Sequence, residues 1–183
     1  MAVTDPWQTA EIAGPKKASV ISKPEVANAM IKRAKHPVLI IGHLAAEIDL
    51  DGRKMIDNLL DLAKTGNIPV IATGHTNRDL LKREYTTAHI LPAVEIGHRL
   101  TDPTWNGLDK KGPYDLAIFA GLPYYMEWTI LSGLKHFAPH LKTMTLDNTY
   151  QPHASWSFTN ISVKDCLENI RAISGLRRTE KDV

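Results

Sequence analysis

The chain has 183 residues, 43% hydrophobic and 23% charged, a balance ordinary for a globular protein and a length suited to one core. Lys plus Arg number 22 against 20 for Asp plus Glu, and a net charge of +2 gives no ground for nucleic-acid binding. The apolar runs fall well short of the ~20 residues a membrane span needs, and the single cysteine, Cys166, rules out an internal disulfide and a self-contained four-thiolate iron–sulfur cluster. The first residues lack the basic start and apolar core of a signal peptide, so the expected location is the cytoplasm, with no membrane and no nucleic acid among its partners.

Residues 1–21 show no periodicity and read as an N-terminal arm lying on the body or on a partner; residues 22–183 read as a single α/β domain. Ser22-Lys23-Pro24-Glu25 has the spacing of a capping box with proline in the first turn. Ala27, Met30, Ile31 and Ala34 give the helix that follows one apolar face. His36-Pro37 ends that helix and opens PVLIIG (37–42), the first of three short apolar runs that stop on glycine. A second helix spans about 52–65 on Met55, Ile56, Leu59, Leu60 and Ala63, with Gly66 as its C-cap. IPVIATG (68–74) is the second strand, and Thr76-Asn77-Arg78-Asp79 caps a short third helix. Ala88–Leu91 suits a short strand and Pro92–Leu100 a helix.

Residues 101–114 form a turn-rich loop, with Asp102-Pro103, Asn106-Gly107 and Gly112-Pro113 as its turn dipeptides. DLAIFAG (115–121) is the third glycine-terminated run, followed by a helix over 123–137 and a strand over Leu141–Leu146. Residues 147–160 are irregular, a last strand falls near Ile161, and Ser162-Val163-Lys164-Asp165 caps the final helix, whose tail carries Arg177 and Arg178. Cys166 lies on that helix's apolar side with Ile170 and Ile173 and reads as a buried structural thiol. β-Branched runs alternating with helices imply a doubly wound, mostly parallel, Rossmann-like sheet of five or six strands. Right-handed crossovers favour the order 3-2-1-4-5-6.

In such a sheet ligands sit beyond the carboxyl ends of the strands, which here present Gly42, His43, Gly74, His75, Thr76, Gly121 and Leu122 as candidate cofactor-binding residues. The usual dinucleotide fingerprint is missing, because Gly42-His43-Leu44-Ala45-Ala46 supplies one glycine where three are needed, and no P-loop occurs. His43 and His75 each follow a strand-terminal glycine and are expected to face one another, either as a metal or acid/base pair or as loop histidines bonded to backbone. No metal-ligand spacing and no catalytic constellation emerges, so neither a metal site nor a catalytic residue is assigned. Asp49 and Asp51 precede a helix and serve its positive end.

The 123–137 helix has two apolar faces: Met126, Ile130, Leu134 and Phe137 on one, Tyr124, Trp128 and Leu131 nearly opposite. Some of Trp105, Tyr124, Tyr125, Trp128, Trp156 and Phe158 are therefore expected to be exposed and to meet a partner.

The run Leu100-Thr101-Asp102-Pro103-Thr104-Trp105-Asn106-Gly107-Leu108-Asp109, followed by Gly112, Tyr114 and Asp115, carries a resemblance. With AKHPVLIIGHLA, GNIPVIATG and SGLKHF in order, the chain from about residue 20 onward resembles the epsilon subunit of the archaeal carbon monoxide dehydrogenase/acetyl-CoA synthase complex, also called the acetyl-CoA decarbonylase/synthase complex. The resemblance implies a fold similar to nucleotide-binding domains, including the central domain of thiamine-diphosphate enzymes. It implies pairing with the large alpha subunit of carbon monoxide dehydrogenase, which holds the nickel–iron–sulfur centre, in an alpha-two epsilon-two component. It implies a non-catalytic subunit without its own metal centre that stabilises the alpha subunit or assists electron transfer to FAD. The alternatives are a free-standing flavin- or nucleotide-binding protein, or a small-molecule enzyme on the same fold. Homodimerisation of the isolated chain is a further expectation.

Overall fold

The computed structural model describes residues 16–50 and 52–178, with side chains through Gly175. In chain order, β1 (Ser19–Val20) leads to α1 (Pro24–Arg33), β2 (Pro37–Ile41), a hairpin of β3 (Asp49–Leu50) and β4 (Arg53–Lys54), and α2 (Met55–Gly66). Then come β5 (Val70–Ala72), α3 (Asn77–Leu81), β6 (His89–Ile90) and α4 (Ala93–Thr101). β7 (Leu116–Ala120), α5 (Tyr124–Phe137), β8 (Lys142–Thr145), β9 (Trp156–Ser157) and α6 (Val163–Arg178) complete the fold.

The main sheet is parallel throughout, in the order β1-β9-β8-β7-β2-β5-β6. Counted from the first predicted strand, β6-β5-β2-β7-β8-β9 is the expected 3-2-1-4-5-6 arrangement. Two details differ. The last strand is Trp156–Ser157 rather than a segment at Ile161, whose N–H instead bonds Asn148 O at 3.0 Å and closes a loop. A seventh strand comes from the end of the arm: Ser19 N–H donates to Ser155 O at 2.9 Å and Ile21 N–H to Ser157 O at 2.8 Å, with Ala18 and Ile21 buried. The rest of the predicted arm, residues 1–15, lies outside the described residues.

Both faces of the sheet are covered, which is why its strands read as unbroken apolar runs. On β2, Leu39 and Ile41 point into a core shared with α1, α2 and α6, while Val38 and Ile40 point into a second core under α4 and α5. β7 divides the same way, with Leu116, Ile118 and Ala120 on the first face and Ala117 and Phe119 on the second. Cys166 sits in the first core at 3% exposure, its thiol donating to Leu146 O at 3.1 Å, and burial pushes its pKa far up.

Several helix ends depart from the sequence reading for local reasons. α1 starts on Pro24 with Lys23 at the N-cap and no side-chain cap, so Ser22 does not close a capping box. α2 begins at Met55, not 52, because residues 49–54 turn into the β3–β4 hairpin, with Gly52 at φ +78° and its N–H held by Asp49 Oδ1 at 2.9 Å. Asp49 thus serves a turn, and Asp51 lies outside the described residues. Asn67, at φ 51°, rather than Gly66, takes the left-handed position that ends α2. At α6 the reading holds: Ser162 Oγ accepts from Asp165 N–H at 3.1 Å and donates to its carboxylate at 2.7 Å. The side chains of Arg177 and Arg178 lie beyond those described.

The 101–114 loop ties the amino ends of β2 and β7 together. The Asp115 carboxylate accepts the N–H groups of Lys35 and His36 at 2.7 and 2.9 Å. The His36 ring reaches Asp109 Oδ1 at 3.0 Å and packs on Tyr114 at 4.3 Å between centroids, and Trp105 meets Tyr114 edge-on at 5.5 Å. Buried Tyr114 accepts Leu108 N–H at 3.0 Å.

One consequence is chemical. A thiol-specific reagent is expected to leave Cys166 unmodified in the native protein and to label it stoichiometrically in denaturant. Fast labelling without denaturant would contradict its placement.

Candidate functional site

The topological switch point lies between β2 and β7, where the chain leaves β2 for one side of the sheet and returns from β6 to start β7. In open α/β sheets a ligand crevice forms outside the carboxyl ends of such a strand pair. Here the two strand ends meet instead. A Cβ on Gly42 would sit 2.2 Å from Gly121 O, and one on Gly121, itself at φ +74°, would sit 2.5 Å from Ala45 N. Leu44 N–H donates to Gly121 O at 2.9 Å, Gly42 N–H to Ala120 O at 2.9 Å, and Gly121 N–H to Asp147 Oδ1 at 2.8 Å. The amides of Gly42, Leu44 and Gly121 are therefore bonded within the chain.

Of the seven residues the sequence singles out, Gly42, Gly121, Leu122 and Thr76 are buried. Thr76 Oγ1 pairs with Thr73 Oγ1 at 3.1 Å inside the turn after β5. Gly74, His75 and half-buried His43 remain at the surface, and a Cβ at Gly74 would meet nothing within 4 Å. The structure brings the two imidazoles together, with ring centroids 5.8 Å apart and planes 57° apart, each ring carried on a 3₁₀ turn at its strand's end. Among the described residues no group of three or more His, Cys, Asp or Glu has metal-binding proximity.

The opposite side of the switch point holds a pair the sequence reading missed. Glu127, on the first turn of α5, is fully buried, and its carboxyl group lies against that of Asp147, which follows β8. Burial, then the charge of Asp147, hold the Glu127 carboxyl well above the usual range, and burial raises Asp147 as well. Asp147 accepts the Gly121 N–H, so Glu127 is the protonated partner and Asp147 keeps the charge. The available signal was positional: residues 127, 130, 131 and 134 recur at helical spacing, and all four are the buried residues of α5. An acid on such a stripe marks a buried carboxyl. Beside the pair lies a cleft of only about 110 Å³ between Leu44, Leu122, Tyr124, Asp147 and Gln151. That is well below the roughly 300 Å³ at which small-molecule sites begin.

The buried stripe of α5 also corrects the two-face reading. Ile130 and Leu134 are inside, but Met126 is 44% and Phe137 71% exposed, while Leu131 is buried. Of the six aromatics expected to include exposed ones, Tyr125 is exposed at 74%. Trp105, Tyr124, Trp128 and Trp156 are half-buried, and Phe158 is wholly in the core. The exposed apolar surface gathers instead along α4 and α5. Val94, His98, Thr129, Gly97, Gly133 and Phe137 line a groove of about 540 Å³, rimmed by Val94 at 64% exposure and Phe137.

Comparison with known proteins adds a family. The family described as CO dehydrogenase beta subunit/acetyl-CoA synthase epsilon subunit matches residues 2–174. The chain is 39% identical over 157 residues to the acetyl-CoA decarbonylase/synthase complex subunit epsilon of Methanothermobacter thermautotrophicus, covering 85% of this chain and 86% of that one. It is 37% identical to subunit epsilon 1 of that complex from Archaeoglobus fulgidus, covering 85% and 82%. It is 36% identical to subunit epsilon 1 from Methanosarcina barkeri, covering 78% and 79%.

Two outcomes follow from the geometry. Gly42→Ala is expected to destabilise the fold by about 3 kcal/mol or more, because its methyl meets rigid backbone, whereas Gly74→Ala changes stability by less than about 0.5 kcal/mol; urea midpoints compare them. For Glu127, a raised folded-state pKa means that its contribution to stability is complete below its ordinary value of 4.5 and is lost as pH rises through the folded value. Glu127→Gln removes that loss, so the variant's stability relative to the parent should grow as pH rises from acid to neutral. A constant difference across that range would place the pair elsewhere.

Proposed function

Because the chain belongs to the CO dehydrogenase beta subunit/acetyl-CoA synthase epsilon subunit family, we propose that it is a non-catalytic epsilon subunit that binds the large carbon monoxide dehydrogenase chain of an acetyl-CoA decarbonylase/synthase complex and stabilises it, two copies of each forming one component. The observation that carries this reading is the outward surface of α4 and α5. Val94 and Phe137 stand 64% and 71% exposed at a groove that no described residue fills, and Tyr125, 74% exposed, lies on the same helix as Phe137. A monomer gains nothing from large apolar groups displayed together, whereas a subunit interface is built from them. Relatives at 35–39% identity are named as epsilon subunits of the acetyl-CoA decarbonylase/synthase complex, which supports this reading.

The packed switch point supports the same reading from the other direction. Gly42 and Gly121 close the crevice a dinucleotide would use, and the charge on Asp147 opposes a diphosphate there. One observation favours a second reading, FAD or nucleotide binding: His43, His75 and Gly74 form an accessible surface at the ends of β2 and β5. In that reading the ligand lies across β2 and β5, and FAD titrated into the chain, alone and with its partner, gives saturable fluorescence quenching that His75→Ala weakens.

The leading reading is tested by mixing the chain with the large catalytic chain in a sedimentation or calorimetric assay. Phe137→Ser and Tyr125→Ser should each weaken association about tenfold, the scale of an interface hot spot, without altering the melting of the isolated chain. The complex should also melt above the catalytic chain alone. Undiminished association of both variants would move the interface off α4–α5. Carbon monoxide oxidation by this chain alone would overturn the accessory role.

A further inference from the structure

The cleft of about 110 Å³ beside the buried carboxyl pair is too small for an organic ligand. It has room for one ion and a few waters, each water taking roughly 30 Å³ of liquid volume. Leu44, Ile48 and Leu122 give it apolar walls, and Asp147 and Gln151 bring buried oxygens to its lining.

Those oxygens are unmatched. Both carboxyl oxygens of Glu127, together with Asp147 Oδ2 and Gln151 Oε1, are shut off from solvent, and none has a partner at hydrogen-bonding geometry. Gln151 is 1% exposed, and its Nε2 donates to Tyr124 O at 3.2 Å, so the amide is fixed with Oε1 as its open end. All of these atoms are acceptors. Two carboxyl groups in contact share one proton, and one proton cannot serve the whole cluster. Burying acceptors without donors is costly, and a fold that does so in one spot points to a group that enters there.

The charge is unmatched as well. Asp147 Oδ1 accepts the Gly121 N–H at 2.8 Å, which is a dipole and not a counter-charge. No basic side chain among the described residues pairs with either carboxyl group. The ion pairs of the molecule stand elsewhere, as Arg83 with Asp57 and Arg99 with Glu95. A buried carboxylate lacking an opposite charge is strongly destabilising.

The loop that carries these oxygens is built without a ligand. Asn148 O accepts Ile161 N–H at 3.0 Å, Tyr150 N–H donates to Asn160 Oδ1 at 2.9 Å, and Gln151 N–H donates to Ser157 Oγ at 3.1 Å. Asp147 and Gln151 are thereby fixed at the edge of the cleft whether or not anything occupies it.

We propose that Asp147 Oδ2 and Gln151 Oε1 hold one alkali-metal cation in this cleft, with waters completing its shell and Glu127 standing behind Asp147 as a neutral partner. One net negative charge calls for one monovalent ion, because a divalent ion would leave buried charge of the opposite sign. The donors are oxygens alone, which suits a hard cation and not a soft transition metal. The nearby Cys166 thiol is committed to Leu146 O at 3.1 Å. Once bound, the ion links the glycine joint, through Asp147, to the first turn of α5, through Gln151 and Tyr124.

The test follows thermal unfolding of the full-length chain in choline chloride replaced stepwise by potassium chloride or by sodium chloride at constant ionic strength. One of the two alkali ions should raise the melting temperature saturably, with about a hundredfold shift of the folding equilibrium at a hundredfold excess of ion over its Kd. Asp147→Asn keeps an acceptor for the Gly121 amide and removes the charge, and should abolish the ion dependence. Gln151→Met should weaken ion affinity about tenfold, whereas Glu127→Gln, which leaves the charge unchanged, should preserve it. A direct reading on the unmodified chain does not depend on how the variants fold. Where potassium stabilises, crystals soaked in a thallium(I) salt should show an anomalous peak between Asp147 and Gln151; where sodium does, the sodium NMR line should broaden with protein and sharpen on competition by potassium. Absence of that direct signal overturns the proposal, as does equal melting in choline, potassium and sodium chloride, which leaves the cleft to water. Ion dependence that survives Asp147→Asn places the ion elsewhere and overturns it too. Stabilisation by calcium or magnesium chloride alone would do the same, by giving both carboxyl groups a charge.

Discussion

Gly42 and Gly121 meet at the centre of the sheet, and much of what surrounds them follows from that contact. The parallel register pairs Ile41 with Ala120, so the next residue on each strand arrives at nearly the same place. A side chain on either would meet backbone within 2.5 Å, and only paired glycines let both strands end there. The chain after Gly42 then folds back as a 3₁₀ turn over the end of β7, with Ala45 packed on Gly121. That turn brings His43 to His75. The amide of Gly121, pointing away from the turn, needs an acceptor, and Asp147 supplies it at 2.8 Å. Once that carboxylate is buried, the neighbouring Glu127 is neutral because two adjacent charges could not both be sustained there. Gly42 and Gly121 thus form a tight structural joint at the carboxyl ends of the two central strands.

The stretch that carries the resemblance stands at the other end of the sheet. The 101–114 loop turns back through Gly107, at φ +70°, whose Cβ would sit 2.9 Å from Gly112 O. It packs Trp105 and the His36 ring on Tyr114, while Asp115 receives two backbone amides that begin β2. Each of these contacts aligns the first residues of the two central strands. This loop is thus a clamp for the register that sets the glycine contact.

Which contacts are local decides what could be read from the chain alone. Strand order was legible because buried parallel strands are continuous apolar runs and right-handed crossovers leave few ways to connect them. The Ser162 cap and the Cys166 face were legible because both depend on residues within one helical turn. Ser19 and Val20 were not, since their strand exists only through backbone pairing with Trp156 and Ser157, 137 residues away in the register. Gly66 lost the C-cap to Asn67, a difference of one residue that local propensity does not resolve. The candidate site divided in the same manner. That His43 and His75 would approach one another follows from strand adjacency. That Gly42 and Gly121 would spend their space on each other, and that Asp147 would take the Gly121 amide, depends on distances between segments that no spacing rule encodes.

The two sheet faces are covered unequally, and this asymmetry locates the surface that remains. The first face has α1, α2 and α6 packed side by side, while the second rests on α4 and α5. Glycines interrupt both of the latter helices. Gly97 is accounted for within the chain, since a Cβ there would touch Ile130 at 3.5 Å where the helices cross. Gly133 is not: its Cβ would meet nothing within 4 Å. A glycine inside an exposed helix gives up about 1 kcal/mol relative to alanine. At position 133 that loss gains no internal contact, but it deepens the groove between Phe137 and Thr129 by the depth of one side chain. A groove left open at its floor, with exposed Phe137 on its rim, has the shape that the interface proposed for α4 and α5 requires.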